Sequence, residues 1–255
     1  MKIVLLGSGN VATHLGRALK EARHEILQVW SRTRSNAAVL GEALFAAYTD
    51  NINALDATAD IYILSVKDDA IEAVASSFPF TDKLLVHTSG TASMESLGKD
   101  RLYKGVFYPL QTFSKQKDLA FNKIPLLIEG NTEAAAVLLS ELGVTISEVV
   151  QPASTAQRAA IHVAAVFACN FSNHLYAIAQ SLLQRENLDF KLLLPLIAET
   201  AEKVQFMSPE AAQTGPAIRN DQLSIQTHQK YLEKSPDLLK LYTLMTDSII
   251  GSKSE

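Results

Sequence analysis

The feature that most constrains this chain is a glycine turn between two very different runs of residues. Lys2 to Leu6 is almost continuously apolar, Gly7-Ser8-Gly9-Asn10-Val11-Ala12 follows directly, and Asn10 to Ala22 then carries apolar residues at helical spacing. The pattern is G-x-G-x-x-A between a strand and a helix. Its first glycine permits the tight turn, its second removes a side chain where the helix begins, and the small Ala12 lets helix and strand pack closely. The free N–H groups and positive dipole end of such a helix make an anion site suited to the pyrophosphate of a dinucleotide. Gly7, Ser8, Gly9, Asn10 and Val11 are therefore candidate cofactor-binding residues, set against the plainer reading of a turn that merely joins strand to helix.

The alternation continues. Glu25 to Trp30, Asp60 to Leu64, Lys83 to His87, Gly105 to Phe107 and Ile124 to Ile128 read as further strands, with helices expected over Ser35 to Glu42 and Asp68 to Phe78. Short apolar runs of this kind suit strands buried on both faces, so the expected fold class is α/β, a doubly wound and mainly parallel sheet. Nine of the 11 glycines lie in the first 150 residues, and after Gln151-Pro152 the pattern becomes helical throughout. A helix capped near Ser154 or Thr155 is expected to reach about Asn187, roughly 50 Å at about 1.5 Å per residue. Helices follow at about Phe190 to Phe206, interrupted or restarted at Pro195, then at Asp221 to Glu233 and Pro236 to Ile250. The expected organisation is a dinucleotide-binding domain over 1–150 and an all-α domain over 151–255. The long helix carries more apolar residues than one small domain can cover, which points to a homodimer.

Composition narrows the function classes. A formal net charge of -4 has the wrong sign for a non-specific nucleic-acid binder, so no nucleic-acid partner is expected. Cys169 is the single cysteine, which fits a reducing, cytoplasmic setting, and no cysteine–histidine spacing suggests a metal site. The first apolar run is too short for a signal-peptide core, and Ala159 to Cys169 falls short of the roughly 18 apolar residues of a membrane span. No membrane partner is expected.

In NAD-binding sheets an acid about 20 residues past the glycine turn grips the adenosine ribose. Here that place reads Ser31-Arg32-Thr33-Arg34, and no carboxylate occurs between Glu25 and Glu42. Ser31, Arg32 and Thr33 are candidates for a 2′-phosphate, which selects NADP as cofactor; ordinary solvated charges on a loop are the alternative. Ligands in such sheets lie at the carboxyl ends of the strands, so Ser65, Val66 and Lys67 after one strand and His87, Thr88 and Ser89 after the next are further cofactor candidates. Asp68 reads equally well as a helix cap.

Together these residues resemble a bacterial family of Rossmann-like NADP oxidoreductases of undefined substrate, related to deazaflavin-dependent NADP reductases, pyrroline-5-carboxylate reductase and the ketopantoate and 6-phosphogluconate dehydrogenases. The resemblance spans nearly the whole chain, through Gly7 to Ala12, Ser65 to Ile71, His87 to Gly90, Tyr108 to Phe113, the His162 to Asn170 helix and Gly215 to Asp221. It implies a helical domain that dimerises and closes over the cofactor cleft. Two positions depart from the pattern: Lys67 replaces a frequent proline, and Tyr108 stands where a histidine is common. Related dehydrogenases protonate the product with a helix lysine, and none occurs between Arg158 and Arg185.

Chemistry would need a group that protonates a developing oxyanion or amine beside the nicotinamide. His162, on an otherwise apolar stretch, is the foremost candidate, with Tyr108 and Asn170 beside it; a hydrogen-bonded core histidine and an interface pair of Asn170 with His174 are the alternatives. Arg219 could fork onto a substrate carboxylate or phosphate, or pair structurally with Asp221. Two functions fit: an NADP-dependent oxidoreductase moving hydride between NADP(H) and a small carbonyl or imine compound, and a non-catalytic NADP-binding sensor or regulatory protein.

Overall fold

The side chains of the first strand already show how the sheet is covered. In the computed structural model, which describes residues 1–114 and 116–252, Ile3 and Leu5 enter one apolar cluster while Val4 and Leu6 enter another, and all four are fully buried. Successive side chains of a strand point to opposite faces, so an unbroken apolar run means helices or loops on both sides.

Eight strands form one sheet: β1 (Lys2–Leu6), β2 (Glu25–Trp30), β3 (Ala47–Thr49), β4 (Ile61–Leu64), β5 (Leu84–His87), β6 (Lys104–Pro109), β7 (Leu126–Gly130) and β8 (Val150–Pro152). Their spatial order is β3-β2-β1-β4-β5-β6-β7-β8. Every neighbouring pair is parallel except β6 and β7. The chain builds outwards from β1 in one direction and from β4 in the other, so the carboxyl ends of these two strands flank the switch point where such sheets bind ligands. Helices α1 (Asn10–Glu21), α2 (Arg34–Leu44) and α4 (Glu133–Val144) supply one apolar layer, and α3 (Ile71–Ser76) contributes to the other.

The helical part comprises α5 (Thr155–Ala165), α6 (Ser172–Arg185), α7 (Leu194–Lys203), α8 (Pro209–Ala212), α9 (Gln222–Leu232) and α10 (Pro236–Gly251). Ser154 caps α5 through a reciprocal pair with Gln157, as its residue type suggested. Between α5 and α6 the chain stays helical but widens into a π segment, Val166–Phe171, so the expected long helix exists with a distortion its sequence does not announce. Pro195 restarts a helix: it lies in the first turn of α7, after a 3₁₀ turn over Phe190–Leu193. By contacts, the chain divides into one compact unit over Met1–His174 and a second over Leu175–Glu255. No helix among the described residues is long and apolar enough to cross a membrane.

Candidate functional site

Four residues line up along the carboxyl edge of the sheet because each extends its strand by one backbone hydrogen bond. Gly7 donates to the Trp30 carbonyl (2.8 Å), Ser31 to Thr49 (3.2 Å), Ser65 to Leu6 (2.7 Å) and Thr88 to Leu64 (3.2 Å). Their hydroxyls tie the edge together: Ser8 Oγ donates to Ser31 Oγ at 3.1 Å and Thr88 Oγ1 to Ser65 Oγ at 3.3 Å. The expected cofactor residues of β1, β2, β4 and β5 are thus neighbours in space.

The glycine turn suits a pyrophosphate on two counts. Gly7 has φ +129°, and a Cβ there would lie 2.1 Å from the Ser65 carbonyl oxygen, so only glycine brings the turn this close to β4. At Gly9 a Cβ would meet no protein atom within 4 Å, so the space before the helix is open and a side chain would stand where the phosphates must come. Gly9 itself is the N-cap of α1, with no side-chain cap and no acid in the first turn, which leaves the helix start free for an anion. The amide of Asn10, expected at the cofactor, instead donates to the Phe113 carbonyl at 2.8 Å. His14, four residues on, is buried with Nε2 2.9 Å from the Ser114 carbonyl and its ring against Phe113. The segment after β6 is thereby strapped over the start of α1. Asn10 and His14 share a helix face, and that spacing was the sequence signal for the strap.

At the end of β2, Arg32 and Thr33 are exposed, and Arg32 makes no hydrogen bond or ion pair among the described residues. Arg34 is already engaged, 3.5 Å from Asp50 and over the Tyr48 ring. After β4, Val66 packs against the core while Lys67 is exposed. Asp68 is not a cap, since Lys67 occupies that place; its carboxylate accepts from the Thr91 hydroxyl at 2.5 Å.

His87 sits differently from expectation. It is 0% exposed, Nδ1 accepts from the Ser89 N–H at 3.2 Å, and Nε2 faces the Ser93 carbonyl at 3.3 Å. With both nitrogens engaged its ring shapes the loop and has no free nitrogen to offer a ligand. Burial, aided by the Arg158 charge, pushes its pKa down to about 4, so the ring is neutral and Nε2 carries the proton. Ser89 Oγ then accepts from the N–H groups of Thr91 and Ala92 at 3.1 and 2.9 Å, closing the turn.

This turn seats a pair the sequence does not connect. Gly90 would, as alanine, place its Cβ 2.6 Å from Tyr108 Cζ; without it the Tyr108 ring lies on the loop. Tyr108 Oη is 3.2 Å from His162 Nδ1, joining the end of β6 to α5. Burial and the Asp68 charge raise the Tyr108 pKa, so the phenol keeps its proton beside His162 Nδ1. One turn earlier on α5, Arg158 is fully buried. It donates to the Glu129 carboxylate on β7 and to the Ala153 and Ala92 carbonyls, fixing the helix that carries His162. Neither Gly90 nor the Arg158–Glu129 pair was anticipated.

Two further candidates make no side-chain hydrogen bond among the described residues. Asn170 is exposed in the π segment and makes no hydrogen bond with His174. Arg219 belongs to the second unit and is exposed; Asp221 caps α9 by accepting from Ser224 N–H and Oγ at 3.1 and 2.7 Å, without an ion pair to Arg219. Among the described residues no group of His, Cys, Asp and Glu could hold a metal ion.

Residues 2–90 match the family model "NADP oxidoreductase coenzyme F420-dependent", and residues 124–249 match a domain of unknown function. A solved Bacteroides fragilis protein described as an NADP oxidoreductase shares 41% identity over 98% of both chains, with a TM-score of 0.89. A Thermotoga maritima protein is 22% identical, with a TM-score of 0.77 over 99% of this chain and 100% of that one. An Aspergillus terreus reductive aminase, solved with NADPH and ethyl levulinate, is 16% identical, with a TM-score of 0.71 over 98% and 94%. At these identities the last two share the fold. No curated protein gives a match.

Proposed function

The chain belongs to the family of NADP oxidoreductases that includes the Bacteroides fragilis protein, and from that premise we propose that it moves a hydride between NADP(H) and a small carbonyl or imine compound. The observation that carries this reading is the Tyr108–His162 hydrogen bond at the carboxyl edge, a proton-handling pair that a binding protein without turnover would not need. Gly7, Gly9 and the N–H groups of Ser8, Asn10 and Val11 hold the pyrophosphate. Ser31, Arg32 and Thr33 take the 2′-phosphate, with Arg32 the cation left available by Arg34's engagement. Ser65, Val66, Lys67, Thr88 and Ser89 line the nicotinamide half. When bound, the cofactor supplies or accepts the hydride.

His162, as imidazolium, gives its Nε2 proton to the developing oxyanion or amine and is left neutral, while Tyr108 Oη accepts from Nδ1–H and holds the ring in place. Asn170 and Arg219 act on the substrate, Arg219 by a forked contact to a carboxylate or phosphate. Residues 1–150 bind the cofactor, and 151–255 form the helical part through which two copies pair, in the cytoplasm. The test is to titrate the protein with NADPH, then follow the loss of reduced nicotinamide absorbance across a panel of carbonyl and imine acids. With a substrate in hand, His162→Gln should retain NADPH binding and lose roughly 10² to 10⁴ in turnover. Unchanged turnover per folded molecule would remove His162 from the reaction.

A further inference from the structure

Asp68, just after β4, is a carboxylate to which the proposed reaction gives no part, and it stands beside the pair that the reaction uses. Its Oδ2 accepts from the Thr91 hydroxyl at 2.5 Å. Thr91 follows Gly90, on whose backbone the Tyr108 ring lies, and Tyr108 Oη is 3.2 Å from His162 Nδ1. After burial, the Asp68 charge is what holds the Tyr108 pKa up, so this carboxylate acts on the pair electrostatically. Asp68 is exposed, and among the described residues it makes no ion pair, with the neighbouring Lys67 included. The charges nearest to it on α5 and β7, Arg158 and Glu129, neutralise each other, and His87 is uncharged at neutral pH. The edge thus carries a free cation at its Arg32 end and, beside Tyr108, a carboxylate that no ion pair neutralises.

A charge in that place separates the two substrate classes that the reaction admits. Reduction of a carbonyl builds negative charge on oxygen as the hydride arrives, and a nearby carboxylate opposes it. Reduction of an imine passes through a positively charged nitrogen, which the same carboxylate favours. We propose that Asp68 determines the substrate class: it holds the protonated nitrogen of an imine, so that this site reduces imines in preference to carbonyl compounds. The inference rests on the proposed hydride transfer and narrows it. The lone pair of the imine nitrogen takes the Nε2 proton of charged His162, which is left neutral. The substrate carbon then takes the hydride of NADPH, and the C=N π pair moves onto nitrogen as a lone pair. The imine is reduced to an amine, and NADPH is oxidised to NADP. Between the two steps the positive charge lies on the substrate nitrogen, and Asp68 Oδ1, which makes no hydrogen bond among the described residues, accepts from its N–H.

The test reads this charge preference without needing turnover. Piperidine, protonated at neutral pH, and tetrahydropyran are rings of one size that differ by that charge, and their binding to the NADPH complex of the full chain is followed by saturation-transfer NMR. Piperidinium should bind about tenfold tighter, roughly what one charge-assisted hydrogen bond supplies. Asp68→Asn keeps an oxygen to accept from Thr91 and should bring the two probes within about twofold of each other, whereas Asp68→Glu should keep most of the preference. Thr91→Val removes the loop bond but not the carboxylate and should also keep it. In the turnover panel, kcat/KM should be higher for cyclic imines than for ketones of like size, and Asp68→Asn should lower that ratio at least about tenfold. A panel without any turnover would count against the hydride reaction, while the probes still decide the charge preference. Equal binding of the two probes by the unaltered protein, a preference that survives in folded Asp68→Asn, or a panel in which only ketones turn over would overturn the proposal.

Discussion

Single side chains set both the cofactor preference and the acid sensitivity expected of this protein. Arg32 is the guanidinium at the end of β2 that makes no hydrogen bond or ion pair among the described residues, no carboxylate occurs between Glu25 and Glu42, and the Asp50 carboxylate beside β2 is neutralised by Arg34. NADPH should therefore bind more tightly than NADH, and Arg32→Ala should weaken NADPH about tenfold to a hundredfold with little change for NADH. Arg34→Ala is the control, since Arg34 is held by Asp50. Equal affinities of the unaltered protein for the two cofactors, by isothermal titration, would refute this. His87 governs acid sensitivity. Its folded pKa of about 4 lies below the unfolded value of about 6.5, so between them the unfolded chain binds the extra proton. Stability is accordingly full above pH 6.5 and is lost as pH falls towards 4, by about 2 kcal/mol near pH 5. Urea midpoints of the wild type and His87→Gln should converge on acidification if this one ring is responsible. Parallel loss in both would place the sensitivity elsewhere.

At the scale of elements, α5 is the piece on which the proposed chemistry depends, and its placement comes from a buried charge. Arg158 and His162 are four residues apart and share a helix face, one docked on Glu129 of β7 and the other on Tyr108 of β6. Arg158→Met takes the cation from the Glu129 carboxylate, leaving it the Thr155 hydroxyl, and should cost about 3 kcal/mol of stability, read from urea denaturation. It also removes a cation that depresses the His87 pKa, which NMR titration should find raised; an unmoved His87 would disconnect the two sites. This coupling could not be read from sequence. Glu129 and Arg158 are 29 residues apart, Tyr108 and His162 are 54, and no periodicity links positions brought together by strand order. What was legible had a local cause: the glycine turn, the doubly buried strands, the Ser154 cap and the Pro195 restart. The strands β3 and β8, three residues each, are too short to show a pattern, and α4 went unread because its Ala- and Leu-rich sequence carries no clear polar face. The π segment has no breaker residue to mark it.

For the whole molecule, the decisive feature is the amount of apolar surface that its helices leave in water. Val163 (57%), Phe167 (66%) and Phe171 (49%) are exposed on α5 and the π segment, and Leu196 (63%), Phe206 (79%), Leu223 (78%) and Leu244 (69%) on the later helices and loops. Scattered single apolar residues are ordinary on a protein surface, and the first part of the chain has its own, such as Phe45 and Val144, but they are more numerous after Gln151 while the strands of the sheet bury nearly all of theirs. A helical face of this kind finds cover by self-association, and closed two-fold pairing is the commonest way. The full chain should thus scatter light as a dimer at micromolar concentration. Replacing Phe167 and Leu244 together by aspartate puts charges on two exposed positions, where neither removes a core contact, so the subunit should stay folded by circular dichroism while the dimer dissociates. A monomeric wild type, or a double variant that remains dimeric, would mean that these faces are covered by something other than a second copy, and the proposed pairing through the helical part would have to be given up.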